Sequence, residues 1–92
     1  MTLAGVEITV SGIVQGVGFR YFIYRRARSL NLVGWVRNNR DGTVSVAAEG
    51  DREMLEGLLD VLREGPPGAS IRDMNIDWQD YRGQFKAFDI IH

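Results

Sequence analysis

The chain has 92 residues, of which 45% are hydrophobic, and these values predict one packed domain over residues 1–92 rather than disorder. Its formal net charge of −1 provides no general field for a polyanion, so nucleic-acid binding would require a local basic patch. The absence of cysteine excludes disulfides, thiolate metal ligands and a thiol nucleophile.

The first predicted elements are a strand and a helix joined by a glycine-rich loop. Val6, Ile8 and Val10 alternate with polar residues, which is typical of a half-buried strand. After the loop, apolar side chains recur at helical spacing at positions 19, 22, 23, 27 and 30. Asn31 suits the end of this helix, because asparagine tolerates the left-handed backbone conformation.

A hairpin and a second helix follow. Residues 32–38 and 43–49 predict two strands, and the Asp41-Gly42 pair between them favours a tight turn. Asp51 is placed to cap the second helix, whose apolar face falls at positions 54, 55, 58, 59 and 62. The prolines at positions 66 and 67 end this helix, because proline cannot continue the hydrogen-bond ladder.

Two further strands complete the predicted order. Residues 71–79 alternate, and their more apolar side, which holds Arg72 and the apolar residues at 74, 76 and 78, is expected to face the core. Residues 85–91 predict a short last strand. The order predicts an α+β fold, a ferredoxin-like βαββαβ sandwich with an antiparallel sheet and both helices on one face. Right-handed crossovers place the first and third strands in the centre.

The loop at residues 12–20 reads Gly-Ile-Val-Gln-Gly-Val-Gly-Phe-Arg. Its three glycines let the backbone bend and approach a ligand closely, and inward N–H groups ahead of a helix bind anions. Arg20 opposes the helix dipole in the first turn, and a bound phosphate would reverse that cost. The dinucleotide pattern fails because Tyr21 replaces its third glycine, and no Lys-Ser/Thr follows Gly18. The loop therefore predicts a phosphate site without nucleotide or metal; the alternative from the loop alone is a strand-to-helix turn that merely needs glycine.

A second motif stands at the end of the second strand, where the sequence reads Gly34-Trp35-Val36-Arg37-Asn38. Together with the glycine loop, this motif closely resembles the acylphosphatase family. The Gly-Pro-Pro segment at 65–67 and the late Phe-x-Ile strand at 88–90 extend the resemblance over essentially the whole chain.

The resemblance implies hydrolysis of an acyl phosphate to a carboxylate and inorganic phosphate, without metal or cofactor. On the family pattern, Arg20 binds the phosphoryl group and Asn38 holds the attacking water through its side-chain amide. Backbone amides assist Arg20 in the family pattern; here they belong to Gln15, Gly16, Val17, Gly18, Phe19 and Arg20 itself. Inorganic phosphate is then both the product and a competitive ligand.

Two positions depart from the family pattern. Asn39 stands where threonine is frequent, and the chain ends Ile91-His92 where an Arg-Tyr ending is frequent. Both departures are expected to change only local hydrogen bonding and the way the last strand is held. His92 is expected to fray rather than to take part in catalysis.

Two alternatives stand beside this reading. A module of the same fold that binds phosphate or carbamoyl phosphate without turnover, found fused to larger proteins in hydrogenase maturation, would share the loop; Asn38 favours the enzyme. An RNA-binding domain could use Arg25, Arg26 and Arg28, but the aromatic-rich sheet motif is not seen and these arginines are expected to solvate a helix.

The partners and the location follow from the same observations. Residues 1–7 carry no secretion signal, and no apolar run is long enough to span a bilayer, which predicts a cytoplasmic location. We expect a monomer that binds small acyl phosphates and inorganic phosphate, with no nucleic acid and no membrane among its partners.

Overall fold

The computed structural model describes every residue of the chain, from Met1 to His92. The elements in chain order are β1 Leu3–Ile13, α1 Phe19–Ser29, β2 Val33–Asn38, β3 Val44–Asp51, α2 Arg52–Glu64, β4 Ser70–Gln79 and β5 Phe88–Ile91. Neither helix is long and apolar enough to cross a lipid bilayer. The predicted order of elements is confirmed, with β5 shorter than expected.

All five strands form one sheet in the order β4-β1-β3-β2-β5. The predicted central pair, β1 beside β3, is confirmed, and β4, β1, β3 and β2 pair antiparallel. The antiparallel prediction is wrong for β5, which runs parallel to β2 with Arg37 opposite Ile91. β4 and β5 are the two edge strands, and β4 runs opposite to β2. The segment after β4 crosses to the other edge and reverses direction, so β5 runs parallel to β2.

Both helices pack on one face of this sheet, and the core lies between the layers. The alternating residues of β1 belong to one buried cluster with apolar side chains of the helices, among them Ile23 of α1 and Leu55 of α2, which are fully buried. Each such side chain contributes about 1.5–3 kcal/mol to stability. Asp51 caps α2 as predicted, its Oδ1 accepting from the N–H of Glu53 at 3.0 Å. Asn31, after α1, has the predicted left-handed φ of 59°.

In β4, one predicted core position is wrong. The side chains at 74, 76 and 78 pack against the core as expected, but Arg72 is exposed. The register against β1 shifts at Ser11 and Gly12, so that Ile71 lies opposite Gly12. This irregularity inserts one extra residue into β4, and Ile71 takes the core position that simple alternation assigns to Arg72.

Candidate active site

The loop between β1 and α1 is a backbone cradle. Gly16 and Gly18 have left-handed φ angles of 76° and 73°, and Gly18 caps α1 without any side-chain hydrogen bond. The N–H groups of residues 15–18 donate to no carbonyl in the loop and turn hydrogen bonds of the chain. A Cβ added at Gly16 or Gly18 would meet nothing within 4 Å, so open space borders the loop. Free donors beside open space at a helix N-terminus are suited to an anion.

Gly12 does not belong to this cradle. A Cβ at this position would lie 2.1 Å from the carbonyl oxygen of Ser70, because β4 approaches β1 closely there. The glycine is required by strand packing at the irregularity described above. The prediction that all three loop glycines lie against a ligand is therefore wrong for Gly12.

The cradle opens into a cleft of about 350 Å³ that brings the two main predicted residues together. The cleft is lined by Val14, Gly16, Gly18, Phe19, Arg20, Tyr21, Asn38, Ile90 and His92. No carboxylate side chain is among these residues, and Arg20 is the one Lys or Arg side chain in the lining. Gln15 and Val17 do not line it; Val17 packs partly against the core. No group of three or more His, Asp or Glu side chains is placed to hold a metal ion.

The side chain of Arg20 contacts the last two residues of the chain, Ile91 and His92. Its Nη1 donates to the carbonyl oxygen of Ile91 at 3.3 Å and lies 3.5 Å from Nδ1 of His92. It forms no ion pair, which leaves the rest of its donors available to a ligand. The parallel pairing of β5 with β2 carries the chain end to the cleft, where His92 is exposed and lies just outside β5; that it frays rather than takes part in catalysis stays a prediction. No local pattern around His92 signals this position.

Asn38 is the last residue of β2, and its side-chain Oδ1 is buried without a hydrogen-bond partner. It is the one such side-chain atom in the chain. An unpaired buried acceptor costs about 1–3 kcal/mol, so a native protein that retains one needs a reason for it. Asn38 also lines the cleft, so its side-chain amide is the polar group that an O–H donor such as a water molecule would meet there.

Gln15 joins the cradle to the hairpin that follows Asn38. Its Nε2 donates to the carbonyl oxygens of Asn39 at 2.8 Å and Thr43 at 2.9 Å. Thr43 O also accepts from the N–H of Asn39 at 2.8 Å, which closes the turn. The side chain of Gln15 thus sets the separation between the loop amides and Asn38, a contact that sequence spacing alone does not reveal.

A polar network holds the hairpin itself. Asn39 Nδ2 donates to Thr43 Oγ1 at 2.9 Å and to Ser45 Oγ at 2.7 Å, so the departure from threonine is accommodated by two hydrogen bonds. Asp41 Oδ1 accepts from the hydroxyl and the N–H of Thr43 at 2.6 and 3.0 Å. Both hydrogen bonds hold the pKa of Asp41 below its ordinary value, and the one from the hydroxyl has the larger effect.

Comparison with known proteins agrees with this geometry. The acylphosphatase family model matches residues 6–90. The chain is 46% identical over 90 residues to the acylphosphatase of Pelotomaculum thermopropionicum, covering 98% of each chain. It matches the crystal structure of acylphosphatase from Bacillus subtilis with a TM-score of 0.93 and 34% identity, over 99% of this chain and 100% of that one. It also matches full-length HypF in its phosphate- and nucleotide-bound form, with a TM-score of 0.90 and 32% identity, over 99% of this chain and 12% of that one. The chain belongs to the acylphosphatase family.

Proposed function

We propose that the protein hydrolyses acyl phosphates to a carboxylate and inorganic phosphate, acting as a cytoplasmic monomer in which residues 1–92 form one domain. One observation carries the proposal above the others. Asn38, whose Oδ1 is buried without a hydrogen-bond partner, lines the same cleft as Arg20 and the cradle glycines. An anion site beside an unsatisfied acceptor for water is what attack of water on a phosphoryl group requires.

Binding comes first. The phosphoryl oxygens lie against the N–H groups of residues 15–20, which donate to no carbonyl in the loop. The guanidinium of Arg20 donates two parallel hydrogen bonds to two of the phosphoryl oxygens. The helix dipole of α1 adds favourable field. Since the dianion and the product carry the same group, inorganic phosphate competes for this site.

The chemical step needs only positioning and charge stabilisation. The water held by Asn38 forms the new P–O bond, while the P–O bond to the carboxylate breaks and the carboxylate leaves with its electron pair. The proton of the water passes to a phosphate oxygen. Charge spreads over the equatorial oxygens in this transition state, where Arg20 and the amides stabilise it. A carboxylate leaves readily without a general acid, so the reaction proceeds without a metal.

A second function, phosphate binding without turnover, is favoured by the match to a segment of HypF in its phosphate-bound form. Two observations oppose it: this chain covers 98% of a curated acylphosphatase, and the Oδ1 of Asn38 is buried without a hydrogen-bond partner. The two functions differ in one observable, which is turnover.

The test is release of inorganic phosphate from acetyl phosphate in EDTA, with an alkyl phosphate ester as the control substrate. We expect hydrolysis of the acyl phosphate and little action on the ester. Arg20→Ala is expected to lose both phosphate binding and turnover while remaining folded, and Arg20→Lys to restore little of either. Phosphate binding without turnover would establish the second function, and activity that needs an added divalent ion would overturn the metal-free reaction.

A further inference from the structure

A second cleft, of about 380 Å³, lies beside the active-site cleft along α1. It is lined by Gly18, Tyr21, Phe22, Arg25, Arg26 and Ser29. Two of these residues, Gly18 and Tyr21, also line the active-site cleft. The two clefts therefore adjoin each other at Gly18 and Tyr21.

The charge of the second cleft is uncompensated. The sequence of α1, FRYFIYRRARS, holds four of the eleven basic residues of the chain and no acidic residue, although the whole chain is at −1. The ion pairs of the protein involve Arg52 with Glu56 and Arg63 with Asp60, so Arg25 and Arg26 have no carboxylate partner. The helix dipole accounts for arginines in the last turn, which holds Arg26, but not for Arg25.

Aromatic rings hold both guanidinium groups at the wall of this cleft. Arg25 lies 5.8 Å from the centroid of Tyr21, and Arg26 lies 5.5 Å from that of Phe22. These contacts reduce the freedom of the two cations before any ligand arrives. Two adjacent cations without a partner, beside an open cleft, form a site for an anionic group.

The position of this site relates it to the substrate. Tyr21 and Arg25 are one turn apart on α1, about 6 Å along the helix axis at ~1.5 Å per residue. The phosphoryl group occupies the cradle under the proposed function, on which this inference rests, and an acyl group that extends from the cradle past Gly18 and Tyr21 reaches the second cleft. We infer that the acyl group of the preferred substrate carries a second anionic group, a carboxylate or a phosphate, which Arg25 and Arg26 bind.

The experiment compares two substrates that differ in one charge. The carboxylate of 4-carboxybenzoyl phosphate and the amide of 4-carbamoylbenzoyl phosphate have nearly the same shape and place the polar group one aromatic ring from the acyl phosphate. The test variant is the double substitution Arg25→Gln with Arg26→Gln. Arg28→Gln is the matched control, since Arg28 lies on the same helix but outside both clefts, where its Nη1 donates to Tyr24 Oη at 2.6 Å.

The readout is the ratio of kcat/KM for the carboxylate substrate over the amide substrate. We expect the wild type to favour the carboxylate by up to about fivefold for each arginine at low salt, which is the range of exposed ion pairs. The preference resides in KM rather than kcat, because the contact is the same in ground and transition states. It is lost in about 1 M NaCl, where the Debye length is about 3 Å. The double variant loses the preference, and Arg28→Gln keeps it.

Equal kcat/KM for the two substrates in the wild type would overturn the second anion site while leaving the proposed function intact. An equal loss of preference in Arg28→Gln would assign the effect to the general field of α1 and would also overturn it. Absence of turnover with both substrates would overturn the proposed function and this inference together.

Discussion

Replacement of Asn38 by alanine separates the chemical step from binding. The side chain makes no hydrogen bond within the protein, and its buried Oδ1 lacks a partner, so its removal costs no internal contact of that kind. We therefore expect the free energy of unfolding to stay unchanged or to rise, by at most the about 1–3 kcal/mol that an unpaired buried acceptor costs. Loss of a well-placed polar group at a reacting centre costs about 10²-fold in kcat, which equals about 2.7 kcal/mol at ~1.36 kcal/mol per tenfold.

The assay measures kcat, the Kd for inorganic phosphate and Tm on one set of proteins. Phosphate affinity should change little in Asn38→Ala, because Arg20 and the cradle hold the anion. Asn38→Asp should lose turnover and bind phosphate at least about tenfold more weakly, since it places a negative charge beside the dianion. Asn39→Ala is the matched control: it deletes the same side chain one position on, removes three hydrogen bonds and should lower Tm while sparing kcat per folded molecule. Full turnover in folded Asn38→Ala would refute its role in holding water.

Three further variants test hydrogen bonds that hold the hairpin after Asn38 and the segment at residues 82–84. Gln15→Met removes both donors to the hairpin, so kcat should fall by about tenfold through misplacement of the reacting groups, with the Ki of phosphate nearly unchanged; the reverse pattern would contradict a positioning role. The pKa of Asp41 is lowered from 3.8, so its carboxylate stabilises the fold above that pH and the contribution is lost as the pH falls through the lowered value. The urea midpoint of Asp41→Asn should therefore lie below that of the wild type at neutral pH and converge with it in strong acid; a constant difference at all pH values would exclude this origin. Glu49, buried at 2% exposure, accepts hydrogen bonds from the N–H groups of residues 82 and 84 at 2.7 and 3.1 Å, so Glu49→Gln should lower stability by about 2 kcal/mol without changing kcat; an unchanged Tm would show that these two hydrogen bonds do not stabilise the fold.

The elements that the sequence predicted correctly are those written in local patterns. Alternation of Val6, Ile8 and Val10 identifies the buried face of β1, and a side-chain oxygen at Asp51 marks the start of α2. Gly16 and Gly18 indicate a left-handed backbone in the cradle, and Arg20 places in the first turn of α1 a positive charge that the helix dipole disfavours. In each case, the residues that cause the structure lie within a few positions of it.

The features that sequence analysis missed depend on contacts between distant segments. The parallel course of β5 is set by the crossing that precedes it, and this crossing brings His92 beside Arg20. The side chain of Gln15 donates to carbonyl oxygens in the turn between β2 and β3, and a sequence does not indicate which main-chain carbonyl accepts a side-chain hydrogen bond. Ile71 faces the core because one extra residue enters β4, and alternation cannot register an insertion of this kind.

The central claim is that the backbone of the loop, together with Arg20, binds the phosphoryl group. A titration of ¹⁵N-labelled protein with inorganic phosphate in EDTA, followed by amide and Arg side-chain NMR signals, measures this directly. We predict saturable shifts that are largest at the amides of residues 15–20 and at Nε of Arg20, and that disappear in folded Arg20→Ala. Shifts that centre elsewhere on the protein, or a loop that phosphate leaves unmoved at saturating concentration, would contradict the account.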